Sequence, residues 1–334
     1  MRNLSIMCLS CLPMSAFCIS ETNFEKVFSE VVAPYAASVG KTGSLTATDG
    51  TVLSYIVYAA NLSKPKKGAI VLLGGRTESY LKYAELIYDL RDEGYTIFSV
   101  DVRGQGLSGR MDGVTDRSYV RHYEDYVSDL ELFVDNVVNK ESFDRKYFVC
   151  HSMSSTIAAY YLVKHPAEFT GAIFSSPMFQ IDTGKYQEWM AYGLSLQNVL
   201  AGKGRDYLPG HGPYDPSNAF ESNAVTHSKA RFEHNKSILT EVPQAALGGA
   251  TFSWFKENVE GTWGLNHNAG KIKIPVRIFA AGADVVVKYE RARDNCSKMA
   301  QCEIFEFPTA KHEILMESDD IRDDAVDLIK EFIK

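Results

Sequence analysis

The chain reads as an α/β protein, a mostly parallel central sheet with helices on both faces and a cap segment inserted late. Three observations predict this class. Short apolar runs recur that are continuous where a half-exposed strand would alternate, as expected of strands buried on both faces. Stretches with apolar residues at helical spacing separate them, and strict strand–helix alternation implies parallel pairing through crossover helices. The alternation then stops over residues 177–270 and resumes beyond them.

Residues 43–60 alternate as two strands around Asp49-Gly50, a strong hairpin signal. Residues 68–73 (GAIVLL) form a buried parallel strand that ends in Gly74-Gly75. Residues 80–93 carry Leu81, Ala84, Leu86, Ile87 and Leu90 at helical spacing. A second buried strand follows at 95–102 (YTIFSVDV), closed by a loop with Gly104 and Gly106. Residues 123–138 are helical, with Tyr126, Leu130, Leu132, Phe133 and Val137 favouring one side. A third strand at 146–150, a helix at 154–164 that stops before Pro166, and a fourth strand at 169–174 complete the first half. From Pro177 to Gly270 the sequence is rich in aromatics, glycine and polar turns. The pattern resumes with strands at 275–280 and 303–307, a helix around 289–299 and a closing helix at 321–333. The expected organisation is a leader of residues 1–20, a core of 21–176 and 271–334, and a cap or lid of 177–270.

One large core with an insertion suits 334 residues better than two full domains. A formal charge of −7 without a basic tract argues against a nucleic-acid partner, which needs clustered cations to displace counterions. Past the start, no run of about twenty apolar residues offers a membrane span. The start itself differs. Arg2 is the only charge before Glu21, and residues 4–19 are mostly apolar or small, which reads as a secretory signal peptide cleaved near Cys18–Ser20. That predicts a secreted or periplasmic protein, with membrane association through an uncleaved N-terminus as the alternative. Three of the six cysteines lie in this leader, and Cys150, Cys296 and Cys302 are no disulfide framework. Cys296 and Cys302 are equally readable as a pair and as two packed thiols.

The chemistry gathers at three strand ends, where reactive groups collect in open α/β sheets. Cys150-His151-Ser152-Met153-Ser154 lies between strand and helix, a turn that exposes a serine hydroxyl before a helix N-terminus. Cys150 and Ser154 stand where glycines usually flank such a serine, and Ser154 and Ser155 are open to reading as helix caps. Asp284 follows an apolar strand in a small-residue loop (AAGAD), and His312 follows the last strand (PTAKHE). The chain order Ser…Asp…His is that of the α/β-hydrolase fold, distinct from the orders of chymotrypsin and subtilisin. Ser152 is therefore the expected nucleophile, His312 its base and Asp284 the acid that orients the imidazole. The oxyanion is assigned to the backbone amides of Met153 and of Arg76, in the Gly74-Gly75-Arg76 loop. The Arg76 side chain is read as solvated in preference to meeting an anionic group. His151 is pinned beside Ser152 and cannot serve as its base. The other histidines show no metal-ligand spacing, so neither metal nor other cofactor is expected. Asp101-Val102-Arg103-Gly104-Gln105-Gly106 reads as a structural turn, since it lacks the third glycine of a phosphate loop.

With these residues placed, the chain resembles the lysophospholipase L2 branch of the monoacylglycerol lipase-like α/β-hydrolases from about Thr46 to its end. Gly75-Arg76-Thr77-Glu78-Ser79-Tyr80 with Lys82-Tyr83 matches the oxyanion loop, and Asp101 to Ser108 matches a loop shared across the lipases. Ala310-Lys311-His312-Glu313-Ile314-Leu315 matches the histidine segment. In the cap, Thr226-His227-Ser228 with Arg231, then Leu247-Gly248-Gly249 and Thr251 with Trp254, are the most specific matches. The resemblance implies hydrolysis of one acyl ester in a lysophospholipid or monoacylglycerol, without cofactor. A short-chain carboxylesterase or thioesterase is the alternative, and a non-catalytic small-molecule binder is the alternative of another class. Gly75, His151, His227, Arg231 and Trp254 are carried as candidate substrate contacts, although structural hydrogen bonding is the preferred reading for His227 and Arg231. Tyr186, Trp189, Met190, Tyr192 and Leu194, with Phe252, Trp254, Phe255 and Trp263, are candidates to line an apolar acyl pocket or to pack the cap. The expected partner is a lipid or small ester, with peripheral contact to a membrane surface.

Overall fold

The computed structural model describes residues 18–334. Most of the expected leader therefore lies outside the described residues. Its last part, Cys18 to Ser20, lies within them and is packed: Ile19 is buried, and its carbonyl accepts a hydrogen bond from Arg231.

Eight strands form one sheet: β1 (Gly40–Thr46), β2 (Val52–Tyr58), β3 (Gly68–Leu73), β4 (Tyr95–Val100), β5 (Lys146–His151), β6 (Gly171–Ser175), β7 (Pro275–Ala281) and β8 (Gln301–Phe307). Their spatial order is β1–β2–β4–β3–β5–β6–β7–β8. β2 runs antiparallel to both β1 and β4, and every other pairing is parallel. The polar edge strand β1 (GKTGSLT), with Lys41 and little buried surface, discourages pairing with another chain.

The continuous apolar runs have a direct cause. Along β3, Ala69, Val71 and Leu73 join the core on one face of the sheet, while Ile70 and Leu72 join the core on the other. The first face is covered by the helices Tyr123–Asn136 and Met153–Lys164, through Tyr126, Leu130, Phe133, Ile157 and Leu162. The second is covered by Ala84–Asp89 and Asp319–Phe332, through Leu86, Ile87, Val326 and Ile329. Each such aliphatic side chain contributes roughly 1.5–3 kcal/mol on burial.

Two element expectations shift. The helix expected at 80–93 is a 3₁₀ turn, Tyr80–Tyr83, running into the shorter helix Ala84–Asp89. The fourth core strand starts at Gly171, not 169. Between β6 and β7 the chain forms the helices Glu188–Leu200, Lys229–Glu241 and Phe252–Asn268. It also forms a short strand, Gly248–Ala250, which pairs in parallel with Arg117–Ser118 of the core. Residues 21–39 form a further helical segment that the apolar spacing does not announce. No described helix is long and apolar enough to cross a membrane.

Candidate active site

Loops at the carboxyl ends of β3, β5, β7 and β8 converge on Ser152, beside the point where strand order reverses. Ser152 follows β5 directly, with φ 52° and ψ −118°, a backbone conformation that costs a non-glycine residue of order 1–3 kcal/mol. Its surroundings hold it there. The Ser152 N–H donates to Ser175 O at 3.0 Å, and Met178 N–H donates to Ser152 O at 3.1 Å. Ser154 is not a helix cap: its hydroxyl donates to Gly74 O and fastens the turn to the loop after β3. Ser155 lies inside the helix and donates to Cys150 O at 3.1 Å.

His312 Nε2 lies 2.9 Å from Ser152 Oγ, and His312 Nδ1 lies 2.7 Å from Asp284 Oδ2. An ionised carboxylate only accepts, so Nδ1 carries the proton and Nε2 is left to accept from the serine hydroxyl. Asp284 Oδ1 accepts the Val286 and Val287 amides at 2.7 and 3.1 Å. Burial pushes the Asp284 pKa up, but the His312 hydrogen bond and charge together with those amides leave it below the ordinary carboxylate value. The β7 and β8 loops meet closely: Gly282 N–H donates to Phe307 O, and Ala283 N–H to Ala310 O, both at 2.9 Å. A Cβ at Gly282 would stand 2.3 Å from Pro308 O, so the approach that brings Asp284 to His312 requires glycine.

The loop after β3 presents three consecutive amides. Gly75 N–H is taken by Glu78 Oε2 and Thr77 N–H by Gln105 Oε1 at 2.7 Å. Arg76 N–H, between them, has no acceptor among the described residues. Met153 opens its helix, so its amide has no carbonyl one turn back. A Cβ on Gly75 would lie 3.2 Å from Ser152 Cβ and 3.0 Å from the His151 ring, so this loop backs directly onto the serine.

Behind the loop lies an ionic cluster that sequence reasoning missed. Lys82 Nζ bridges Glu78 Oε1 at 2.6 Å and Glu313 Oε2 at 2.7 Å, with all three side chains largely buried. Glu78 Oε2 also accepts the Tyr83 hydroxyl at 2.6 Å. Burial raises the Glu78 pKa, but Lys82, His151 and the hydrogen bonds outweigh it and hold the group well below its ordinary value. Glu313 is pushed the other way by burial, only partly offset by Lys82. The cluster thus links the loop after β3 to the residue following His312.

The candidate substrate contacts divide. Gly75 and His151 adjoin Ser152. His151 is buried, donates from Nδ1 to Ser175 O at 3.2 Å and packs against the His312 ring at 4.8 Å. Trp254 is buried in the first turn of its helix, beneath the Arg76 guanidinium. His227 pairs with Glu317, 3.0 Å from its Nδ1, and Glu317 also accepts the Lys311 amide. Arg231 is buried, and its guanidinium is engaged by Glu85, Asp319, Glu317 O and Ile19 O. It is a structural clamp, without the free fork a headgroup contact requires. The Arg76 side chain is partly buried and not freely solvated. In the cap, Tyr186, Trp189, Met190 and Leu194 are exposed, while Phe252, Trp254 and Phe255 are buried core. Tyr192 and Trp263 pack with tilted rings at 4.7 Å and hold two cap helices together. Among the described residues no cluster of metal-ligating side chains occurs.

A sheet of this order with these loops defines an α/β-hydrolase, and the chain belongs to the family described as Serine aminopeptidase, S33, whose model matches residues 64–319. The chain is similar to the probable lysophospholipase L2 of Haemophilus influenzae, 30% identical over 266 residues that cover 79% of this chain and 83% of the relative. Lysophospholipase L2 of Escherichia coli K12 is likewise 30% identical, over 277 residues covering 79% of each chain. Among solved structures, a soluble variant of monoglyceride lipase from Saccharomyces cerevisiae, bound to a substrate analogue, superposes with a TM-score of 0.71. It is 20% identical and covers 89% of this chain and 95% of its own. A Paleococcus ferrophilus monoacylglycerol lipase gives a TM-score of 0.64 at 19% identity, covering 84% and 98%. At these identities the structures attest the fold.

Proposed function

We propose that the protein is a carboxylic ester hydrolase that cleaves the single acyl ester of lysophospholipids or monoacylglycerols through an acyl-serine intermediate. The observation that carries this reading is the unbroken hydrogen-bonded line Ser152–His312–Asp284, with the unengaged Arg76 amide beside it. Ser152 Oγ attacks the ester carbonyl as its proton passes to His312 Nε2. The developing oxyanion is met by the Arg76 and Met153 amides, held in place before the reaction begins. Collapse expels the alcohol, which takes the proton back from His312. Water then repeats the sequence on the acyl-serine and releases the fatty acid. Asp284 stays ionised and fixes the tautomer that Nε2 needs.

The similarity to lysophospholipase L2 supports the substrate class. The exposed Trp189, Met190 and Leu194 on one cap helix support peripheral contact with a lipid surface. The apolar stretch behind Arg2 supports export, and the disulfide between Cys296 and Cys302 fits an oxidising compartment.

The test is hydrolysis of lysophosphatidylethanolamine, monoacylglycerol and short-chain nitrophenyl esters by wild type and Ser152→Ala. We expect Ser152→Ala to lower kcat by roughly 10⁴–10⁶-fold with folding preserved, because such residues act as a unit. Near wild-type turnover in the variant would refute the mechanism. Turnover confined to short esters would replace the lipid reading with a short-chain carboxylesterase. No turnover with any substrate, together with a Ser152 silent to fluorophosphonates, would leave a binding protein.

A further inference from the structure

Among the described residues the fully buried arginines are neutralised by carboxylates. Arg103 meets Asp129 at 2.6 Å and Asp49 at 2.8 Å, Arg231 meets Glu85 and Asp319, and Arg322 meets Asp89 at 2.6 Å. Arg76 and Arg110, both partly buried, have no such partner; Arg110 spends its guanidinium on the Ser108, Gly106 and Gln244 carbonyls, whereas most of Arg76 is unspent. Its side chain leaves the loop beside Ser152 and enters the seam between core and cap, where Nη1 donates to Ser118 Oγ at 3.2 Å and to Gly248 O at 3.5 Å. Trp254 lies under the guanidinium, 5.4 Å from ring centre to Cζ. Among the described residues no carboxylate pairs with Arg76, and Nε and Nη2 have no hydrogen-bond partner.

The neighbourhood supplies no hidden counter-charge. Asp116, whose carbonyl accepts the Gly248 amide, spends both carboxylate oxygens on Arg117 at 2.8 and 3.0 Å. His211 packs against Gly249 and accepts the Ala250 amide on Nδ1 at 3.1 Å, which leaves Nε2 as a further N–H donor when the ring is neutral. A guanidinium drawn partly out of water against neutral acceptors and an indole face carries a desolvation cost that an anion would offset. Its geometry selects the anion, since a planar fork with two N–H groups free suits the paired oxygens of a phosphate. The glycerol of a lysophospholipid sets its phosphate about one arginine side chain away from the scissile carbonyl. With the Arg76 amide at the carbonyl oxygen, the length of its side chain matches the span to a headgroup phosphate lying toward Ser118 and Gly248.

We propose that the Arg76 guanidinium, seated on Trp254 and steadied by Ser118 and Gly248, binds the headgroup phosphate and selects lysophospholipids over neutral monoacylglycerols. This rests on the ester-hydrolase reading and deepens it. One residue then serves two parts of the substrate, by its amide at the reacting carbonyl and by its side chain at the headgroup.

The experiment compares kcat/KM for lysophosphatidylglycerol and monoacylglycerol of the same acyl chain, in the same mixed micelles, for wild type, Arg76→Gln and Arg76→Lys. The expected result is a ratio, phosphate-bearing over neutral, that falls tenfold or more in Arg76→Gln and by less in Arg76→Lys. A loss common to both substrates reports on the oxyanion loop and cancels from the ratio. If wild type hydrolyses both esters and Arg76→Gln leaves the ratio unchanged, the phosphate site falls while the hydrolase stands. If wild type hydrolyses neither, the hydrolase reading falls first. Should the variants not fold, glycerol 3-phosphate is tested as a competitor of fluorophosphonate labelling on wild type. Protection by glycerol 3-phosphate but not by glycerol or inorganic phosphate supports the headgroup site. Equal protection by inorganic phosphate assigns the guanidinium to free phosphate and overturns it, as does no protection at all.

Discussion

Glu78, Lys82, Glu85 and Asp89 follow one another at spacings of four, three and four, from the loop after β3 through the helix Ala84–Asp89, and all four are buried. The two halves of this stripe nevertheless serve different regions. The first half holds the active-site loop: Glu78 fixes the Gly75 amide, and Lys82 joins it to Glu313 beside His312. The second half holds the fold's periphery: Glu85 receives Arg231 and Arg322, Asp89 receives Arg322, and Asp319 ties Arg231 to Glu21 and Ser20. Buried charge alone therefore marks neither function nor mere structure. What decides is which backbone groups the charges hold, and here one cluster holds the loop beside Ser152 while the other holds a cap helix and the N-terminal segment.

The largest effect expected from this comparison is on stability, in the second cluster. Arg231→Met leaves Glu85 and Asp319 without their shared cation, and breaking a buried pair from one side costs about 3–5 kcal/mol. Urea unfolding should show that loss. The kcat and KM of the remaining folded protein should stay within about twofold, because no Arg231 donor reaches the substrate chemistry. A large rise in KM for lysophospholipids at unchanged stability would restore Arg231 as a headgroup contact and break the division between the clusters.

The first cluster should respond the other way round. Glu78→Gln keeps an oxygen for the Gly75 amide but removes the charge that draws it to Lys82, and Lys82 retains Glu313. The expected stability loss is smaller than that of Arg231→Met. The Arg76 amide, one residue on, would lose its fixed aim at the oxyanion, which appears in kcat and not in KM. A tenfold to hundredfold fall in kcat, equivalent to about 1.4–2.7 kcal/mol, is expected. A variant with normal kcat would show that Gln105, through the Thr77 amide, suffices to hold the loop.

Much of this was legible in the sequence, and the reasons are physical. Strands buried on both faces leave continuous apolar runs, so β3, β4 and β5 stood out; Ser152, Asp284 and His312 follow because open α/β sheets display chemistry at strand ends. The Glu78–Asp89 stripe was missed although its spacing is helical, because charges at that spacing normally mark a solvated face, and only the partners from Arg231, Glu313 and Arg322 reveal the burial. Arg231 and His227 stand out in the sequence as chemistry-bearing types, yet their roles depend on Glu85 and Glu317, far away in the chain. The Arg76 side chain reads as solvated in the sequence for the same reason: its seam with Ser118, Gly248 and Trp254 exists only once the cap is folded onto the core.

The smallest effect separates the clusters by pH. His151 lies 3.9 Å from Glu78 and against His312, with Lys82 and Asp284 also near. Burial lowers its pKa to about 4 from 6.5, despite the pull of the Glu78 charge in the other direction, while His312 and Lys82 add to the lowering. The native ring is then neutral where the unfolded chain already takes up a proton. Its contribution to stability is complete above pH 6.5 and is lost as pH falls toward 4. Between pH 7 and pH 5 that linkage amounts to about 2 kcal/mol. Urea unfolding of wild type and His151→Gln at both values should show a steeper acid loss in wild type by about this amount, whatever the variant's stability at neutral pH. Parallel losses in the two proteins would mean that the ring is protonated in the folded state, with Glu78 as its counter-ion. The Glu78 charge would then be divided between Lys82 and His151, and the active-site cluster would be as tightly ion-paired as the one around Arg231.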